Sequence, residues 1–267
     1  MELAEILGLF AYLVIGITAG FIGGLLGLSG GVVSIPCLVL IFHLIKFPQS
    51  YLVHTAIGTS LSAMVLNGIS STSAHSKHKG VDWKIVYKMI PGIFLGCLLG
   101  AFVAHFLSGI ILEMIFGLFI LLLGIYMLWH KKTKKESSLH PSPTFYSLWG
   151  LGIGSFSSLL GLGGGVFTVP FLLSIQRSEK KAIGTSAALG LLITFIAAIG
   201  YLYFGLEVAT AKGSIGYIYL PAFFILSLAA FFSAPFGAKI AHQIEGRKLK
   251  KIFGGSLIAI GILMILD

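Results

Sequence analysis

The chain has 267 residues, of which 57% are hydrophobic and only 10% charged, where a water-soluble domain carries about a quarter charged residues. That balance, with a mean hydropathy of +1.00, excludes a soluble globule and predicts an all-α polytopic membrane protein. The net charge of +9 does not point to nucleic acid, because the basic residues sit in short loops between apolar stretches and report topology.

In chain order, Ile6–Leu26 is apolar and long enough to span a bilayer. Glu2 and Glu5 stand where a cleavable signal would carry basic residues, so this segment is expected to be retained. It runs into GLSGGVVSIP, Gly27–Pro36, and Val32–Ile45 then has the length of a re-entrant or partial helix. Pro48 and Gln49 open a segment reaching to about Ser73, followed by the polar loop HSKHKGVDWK. Val86–Leu107 and Ile110–Trp129 are ordinary spans separated by a Ser108-Gly109 turn. The basic, proline-broken stretch 130–143 is a linker. After it come Thr144–Leu160, a second glycine stretch GLGGGVFTVP (Gly161–Pro170), the short Val166–Ile175, the loop QRSEKK, and then Ala182–Tyr203, Ile215 to about Ile240, and Leu249–Leu266.

The second half therefore repeats the first. Gly27 and Pro36 correspond to Gly161 and Pro170, the pentapeptide AIGTS occurs at both Ala56–Ser60 and Ala182–Ser186, and GAFVAH (Gly100–His105) matches GAKIAH (Gly237–His242). Ordered matches of this kind predict a duplicated unit: an N-terminal transmembrane repeat over 1–129, the linker 130–143, and a C-terminal repeat over 144–267. Charge decides their relative orientation. If each repeat of five helical segments crosses an odd number of times, nearly all basic residues fall on the linker's side, including Lys77, Lys79, Arg177, Lys180, Lys181 and the Arg247–Lys251 cluster. Only Lys46 and Lys212 fall opposite. An even count, with the glycine stretch merely interrupting one span, puts several basic loops outside and fails the positive-inside rule. The expectation is two inverted repeats, with both termini periplasmic and the linker cytoplasmic.

Inverted repeats with short, glycine-broken helices at matching places describe a secondary transporter whose substrate binds near the midplane. The glycines expose backbone N–H groups, and short helices beginning near Val32 and Val166 aim positive dipole ends at the same region, which suits an anion. The segments carry no Asp or Glu at mid-span, where a carrier of sodium, protons or metal cations usually keeps one. The candidate substrate-binding residues are Gly27, Leu28, Ser29, Gly30, Gly31, Thr59 and Ser60 in the first repeat. Their counterparts are Gly161, Gly163, Gly164, Gly165, Thr185 and Ser186, and Ser34, Asn67, Ser157, Ser158 and Thr168 are further hydroxyl or amide donors. Against this stands the blander reading, in which glycines serve close helix packing and hydroxyls bond back to their own helices; scattered glycines such as Gly92 and Gly124 are assigned to packing. His54 is the one histidine considered as a gate or proton handle, while interfacial placement is expected for it and for His75, His78, His105 and His242. Cys37 and Cys97 read as small packed hydrophobes. No cofactor, metal or enzymatic role is called for, and the sequence carries no sign of oligomeric state.

The paired stretches GLSGGVVSIP and GLGGGVFTVP, each followed by AIGTS, resemble the glycine-proline signatures of the TauE/SafE sulfite exporter family, also called the toluene sulfonate uptake permease (TSUP) family. The resemblance runs from about Leu7 to Leu266. It implies transport of sulfite, sulfoacetate or other sulfonates, or related organic anions, across a bacterial or archaeal inner membrane, with the lipid bilayer and a small anionic substrate as partners. One departure is Ser29, where the second copy has Gly163. Rival readings are a carrier of cations or neutral solutes and, from another class, an intramembrane serine protease built on Gly27-Leu28-Ser29-Gly30. The latter lacks a mid-span histidine base and loses its serine in the second copy.

Overall fold

The computed structural model describes residues 3–26, 30–129, 141–175, 177–208 and 211–241, together with 254, 255, 257–259, 261, 262 and 264 of the last segment, which are helical. Gly27, Leu28, Ser29, His242, most of the linker and the Arg247–Lys251 cluster lie outside the described residues. The protein is an all-α polytopic membrane protein. Its elements are α1 (Leu3–Leu26), α2 (Gly31–Leu44), a 3-10 turn at Gln49–Tyr51, α3 (Leu52–Lys77), α4 (Trp83–Phe106), α5 (Gly109–Trp129), α6 (Pro143–Leu160), α7 (Gly165–Ser174), α8 (Glu179–Gly205) and α9 (Leu220–Ala241). Among the described residues, six helical stretches are long and apolar enough to cross a membrane. The region expected as helix from Ile215 instead begins with a two-stranded hairpin, β1 (Ser214–Ile215) and β2 (Ile218–Tyr219), turned by Gly216 at φ +56°. Its β-branched and aromatic residues suit that pairing, and the helix starts at Leu220.

Helices α2 and α7 have 14 and 10 residues, or about 21 and 15 Å at 1.5 Å per residue, short of a hydrocarbon core of about 30 Å. Both double back on the helix before them. Phe167 lies 6.2 Å from Phe156, while Phe171, further along α7, stacks at 5.0 Å on Trp149, earlier in α6. In the first half, Tyr219 touches both Tyr12 of α1 (6.5 Å) and Phe42 near the end of α2 (5.6 Å). Had α2 continued along the direction of α1, those two rings would be about 40 Å apart. Each short helix thus forms a helical hairpin with the helix before it.

The two halves are interlocked through small residues. A Cβ added at Gly92, Gly96 or Gly100 of α4 would run into the backbone oxygens of Ser147, Leu151 and Ser155 of α6, and one at Gly16, Gly20 or Gly24 of α1 would strike α9 in the same way. Gly92 and Gly124 do serve packing, since a Cβ added at Gly124 would come within 2.7 Å of the Gly254 carbonyl. Without a hydrophobic drive between helices in lipid, backbone-to-backbone contact of this kind is what holds them. One buried cluster draws side chains from both halves, from Tyr12 and Ile35 to Tyr201 and Leu226. Cys97 is buried in a second cluster and Cys37 packs against the first.

Candidate functional site

The two glycine tips meet. Gly30, at φ +81°, is the N-cap of α2, and Gly164, at φ +82°, is the N-cap of α7; only glycine holds that conformation at low cost. A Cβ on Gly31, the first residue of α2, would strike the carbonyl oxygen of Gly161, the left-handed C-cap of α6. Gly163 is also left-handed, at φ +54°. Its carbonyl lies 2.8 Å from where a Cβ on Gly190 of α8 would sit.

Neither short helix has a side-chain cap at its start. The first backbone bonds run from Val33 and Ser34 to Gly30 O, and from Phe167 and Thr168 to Gly164 O. The N–H groups of Gly31, Val32, Gly165 and Val166 precede them and have no acceptor within the helix. All four residues are buried, so two partial positive charges face the protein interior. Among the described residues no Asp, Glu, Lys or Arg is buried, and no group of three His, Cys, Asp or Glu could hold a metal.

The hydroxyls divide by task. Thr168 donates back to Gly164 O at 2.8 Å, Ser34 does the same to Gly30 O at 3.3 Å, and the Ser34 and Ser60 oxygens are 2.6 Å apart. Ser157 and Ser158, on the last turn of α6, are fully buried with hydroxyls that meet no partner. Ser186 is buried.

The AIGTS threonines reach across the halves. Thr59 Oγ1 accepts the backbone N–H of Tyr219, just ahead of α9, at 2.9 Å, and Thr185 Oγ1 accepts that of Asp82, just ahead of α4, at 2.8 Å. Two residues before each donor, the carbonyl of Tyr217 lies against Gly58 and that of Gly80 against Gly184, where a Cβ would not fit. Each AIGTS is therefore a clamp: its glycine admits a loop from the other half and its threonine binds that loop's next free N–H. Sequence reasoning singled out the threonines but missed Gly58, Gly184 and the loops they grip. Identity of the two pentapeptides was the available signal.

His54 and His75 are both buried within the protein. His54 Nε2 lies 3.0 and 3.1 Å from the carbonyls of Ala104 and Leu107 at the end of α4. Carbonyls only accept, so Nε2 carries the proton, and Nδ1 faces no partner. The ring stacks on Tyr217 at 5.1 Å, and Tyr217 Oη is 3.1 Å from His105 Nδ1. Burial, then the neighbouring Tyr51, push the Tyr217 phenol up to about 12, so it stays protonated at neutral pH. His75 Nε2 donates to Gly24 O at 3.2 Å.

A multi-pass helical protein whose buried centre is built from paired re-entrant helix starts has the build of a membrane transporter. Residues 12–264 match the family model "Sulfite exporter TauE/SafE", and the chain belongs to that family. It is 34% identical over 256 residues to a "Probable membrane transporter protein" of Haemophilus influenzae, covering 95% of this chain and 97% of the relative. A protein of the same description from Methanocaldococcus jannaschii is 29% identical, with 100% and 98% covered. A third relative, YunE of Bacillus subtilis, is 28% identical, with 95% and 96% covered. No solved structure matches. The protein is a membrane transporter.

Proposed function

We propose that this transporter moves small sulfur-containing or organic oxyanions, such as sulfite, sulfoacetate or other sulfonates, across the inner membrane by alternating access. The observation that carries this reading is the packing of the buried, uncapped start of α2, at Gly31, against the Gly161 carbonyl, four residues before the equally buried and uncapped start of α7 at Gly165. Four N–H groups and two dipole ends supply positive potential there without a fixed cation, which suits a mobile anion and disfavours a cation. Gly30, Gly31, Gly161, Gly163, Gly164 and Gly165 would form the backbone face of the site, joined by Gly27, Leu28 and Ser29 from the first tip. The AIGTS residues Thr59, Ser60, Thr185 and Ser186 would frame it.

The fold-back of α2 and α7 and the matched clamps support two inverted repeats, residues 1–129 and 144–267, rocking against each other. Basic residues concentrated at the Lys77–Lys79 and Arg177–Lys181 loops support a cytoplasmic linker and periplasmic termini. In an alternating-access cycle, two closed clamps would correspond to an occluded state. His54 would sit at the outer end as a gate or proton handle. The test is uptake of labelled sulfite, sulfoacetate and taurine into proteoliposomes under an imposed sodium gradient, a pH gradient or neither. Anion flux without sodium supports the reading. Strict sodium dependence, or flux of cations alone, overturns it.

A further inference from the structure

The clamps obey the repeat, but the long helices α3 and α8 do not carry the same face. Thr59 and Thr185 fix the correspondence between them, and on it Asn67, Ser71 and His75 of α3 stand opposite Ile193, Ala197 and Tyr201 of α8. All six are buried, none more than 4% exposed. Residues four apart stack along one helix face, so α3 presents a continuous polar line where α8 presents an apolar one ending in a tyrosine.

The polar line opens from a cavity. Asn67, Gly68 and Ser71 of α3, Gly23 of α1 and Gly190 of α8 surround a space of about 10 Å³, room for about one water-sized group. Gly190 is the residue that abuts the Gly163 carbonyl, so the cavity adjoins the second glycine tip. Ser71 is 4% exposed and its hydroxyl meets no partner, as does that of Thr72 one residue on. A buried hydroxyl left unbonded costs about 1–3 kcal/mol. Three of the wall residues are glycines on three different helices, with Gly68 in near-backbone contact with Leu191 (3.0 Å from an added Cβ to its Cα). Separating α3 from α8 therefore enlarges this space directly.

We propose that this cavity is the side-chain half of the substrate site. Ser71 donates its hydroxyl to a small hydrogen-bond-accepting anion, Asn67 stands beside it, and the line through Thr72 to His75 is the wet route to the side bearing Lys77 and Lys79. The route past Ile193, Ala197 and Tyr201 stays dry until that side opens. The site is thus one-sided although the fold is duplicated. This assignment rests on the anion reading for its ligand, but its geometry can be tested alone.

The experiment places Ser71→Cys and, separately, Ala197→Cys in a Cys37→Ala, Cys97→Ala background in oriented vesicles, with Lys79→Cys marking the cytoplasmic side. A sulfonate-bearing and a trimethylammonium-bearing methanethiosulfonate are applied from each side. The expected result is modification of Ser71→Cys from the Lys79 side, slowed by sulfite, with Ala197→Cys inert. Equal inertness of both variants, or modification of Ser71→Cys only from the opposite side, overturns the wet line. Modification that no anion among sulfite, sulfoacetate and taurine slows, and that favours the cationic reagent, supports the line and overturns the anion reading. In parallel, Ser71→Ala is expected to bind sulfite about ten- to a hundredfold more weakly, the loss of one hydrogen bond to a charged ligand. Unchanged sulfite affinity in folded Ser71→Ala removes the hydroxyl from the site.

Discussion

Replacing Thr59 or Thr185 by valine keeps volume and β-branching and deletes a single oxygen. Each substitution strips the acceptor from one backbone N–H, that of Tyr219 or Asp82, held at 2.9 and 2.8 Å. A neutral hydrogen bond contributes about 1 kcal/mol net, and an N–H left buried without a partner costs about 1–3 kcal/mol. Hydrogen bonds between membrane helices average nearer 0.6 kcal/mol, with a ceiling of about 1.7. The expected destabilisation is therefore about 1–1.5 kcal/mol per variant. The two clamps share no partner and grip different loops, so the double variant should lose about twice that. Reversible unfolding in detergent, with midpoints converted to free energies, measures it. Thr→Ser at either position keeps the oxygen and should recover most of the loss. Two valine variants that unfold with the parent would refute the clamp, and so would serine variants as unstable as the valine ones.

Other expectations follow from the same contacts. Gly96→Val drives methyl groups into the Leu151 carbonyl of α6 and should cost at least about 1–3 kcal/mol, whereas Gly152→Ala, which meets nothing within 4 Å, should be neutral or stabilising in the same unfolding assay. Cysteines at Lys79 and Ser214, in the absence of Cys37 and Cys97, should react with impermeant reagent from opposite sides; reaction from the same side refutes the topology. Burial pushes the Tyr217 phenol up to about 12 in the folded protein, against about 10 unfolded. A raised value means that its contribution is complete below pH 10 and is lost as pH climbs towards 12. The parent should therefore lose more stability than Tyr217→Phe across that window, and parallel curves would show that the phenol contributes nothing there.

Much of this was legible in the chain because it is written twice. Glycines nine residues ahead of a proline, in an apolar context, marked both hairpin tips, and the boundaries of α1, α2, α4, α5, α6, α7 and α8 fall within three residues of the expected ones. What stayed hidden depends on contacts between distant residues. That α2 returns along α1 shows in Tyr219, which touches Tyr12 and Phe42 from the other half. The identity of AIGTS signalled importance but not its partner, a backbone N–H that any residue could supply. The basic loop beside His75 gave no hint that helix packing brings the Gly24 carbonyl to its ring. Ser71 drew no attention in a run of small polar residues. Its weight comes from Gly23 and Gly190, which leave space beside it.

A symmetric pair of clamps around a one-sided site makes a last prediction about gating. If each clamp closes one side, weakening it should raise the population open to that side alone, by about fivefold for about 1 kcal/mol. Thr185→Val loosens the loop ahead of α4, beside Lys79, and Thr59→Val loosens the hairpin ahead of α9. With Ser71→Cys as reporter, Thr185→Val should speed modification from the Lys79 side. Thr59→Val should slow it there, because the protein then spends more time open to the other face. A carrier must keep one gate shut while the other opens, so the two single variants should move the rate in opposite directions. If both variants accelerate labelling from the same side, the clamps are merely structural contacts, and the gates lie elsewhere in the interface between the repeats.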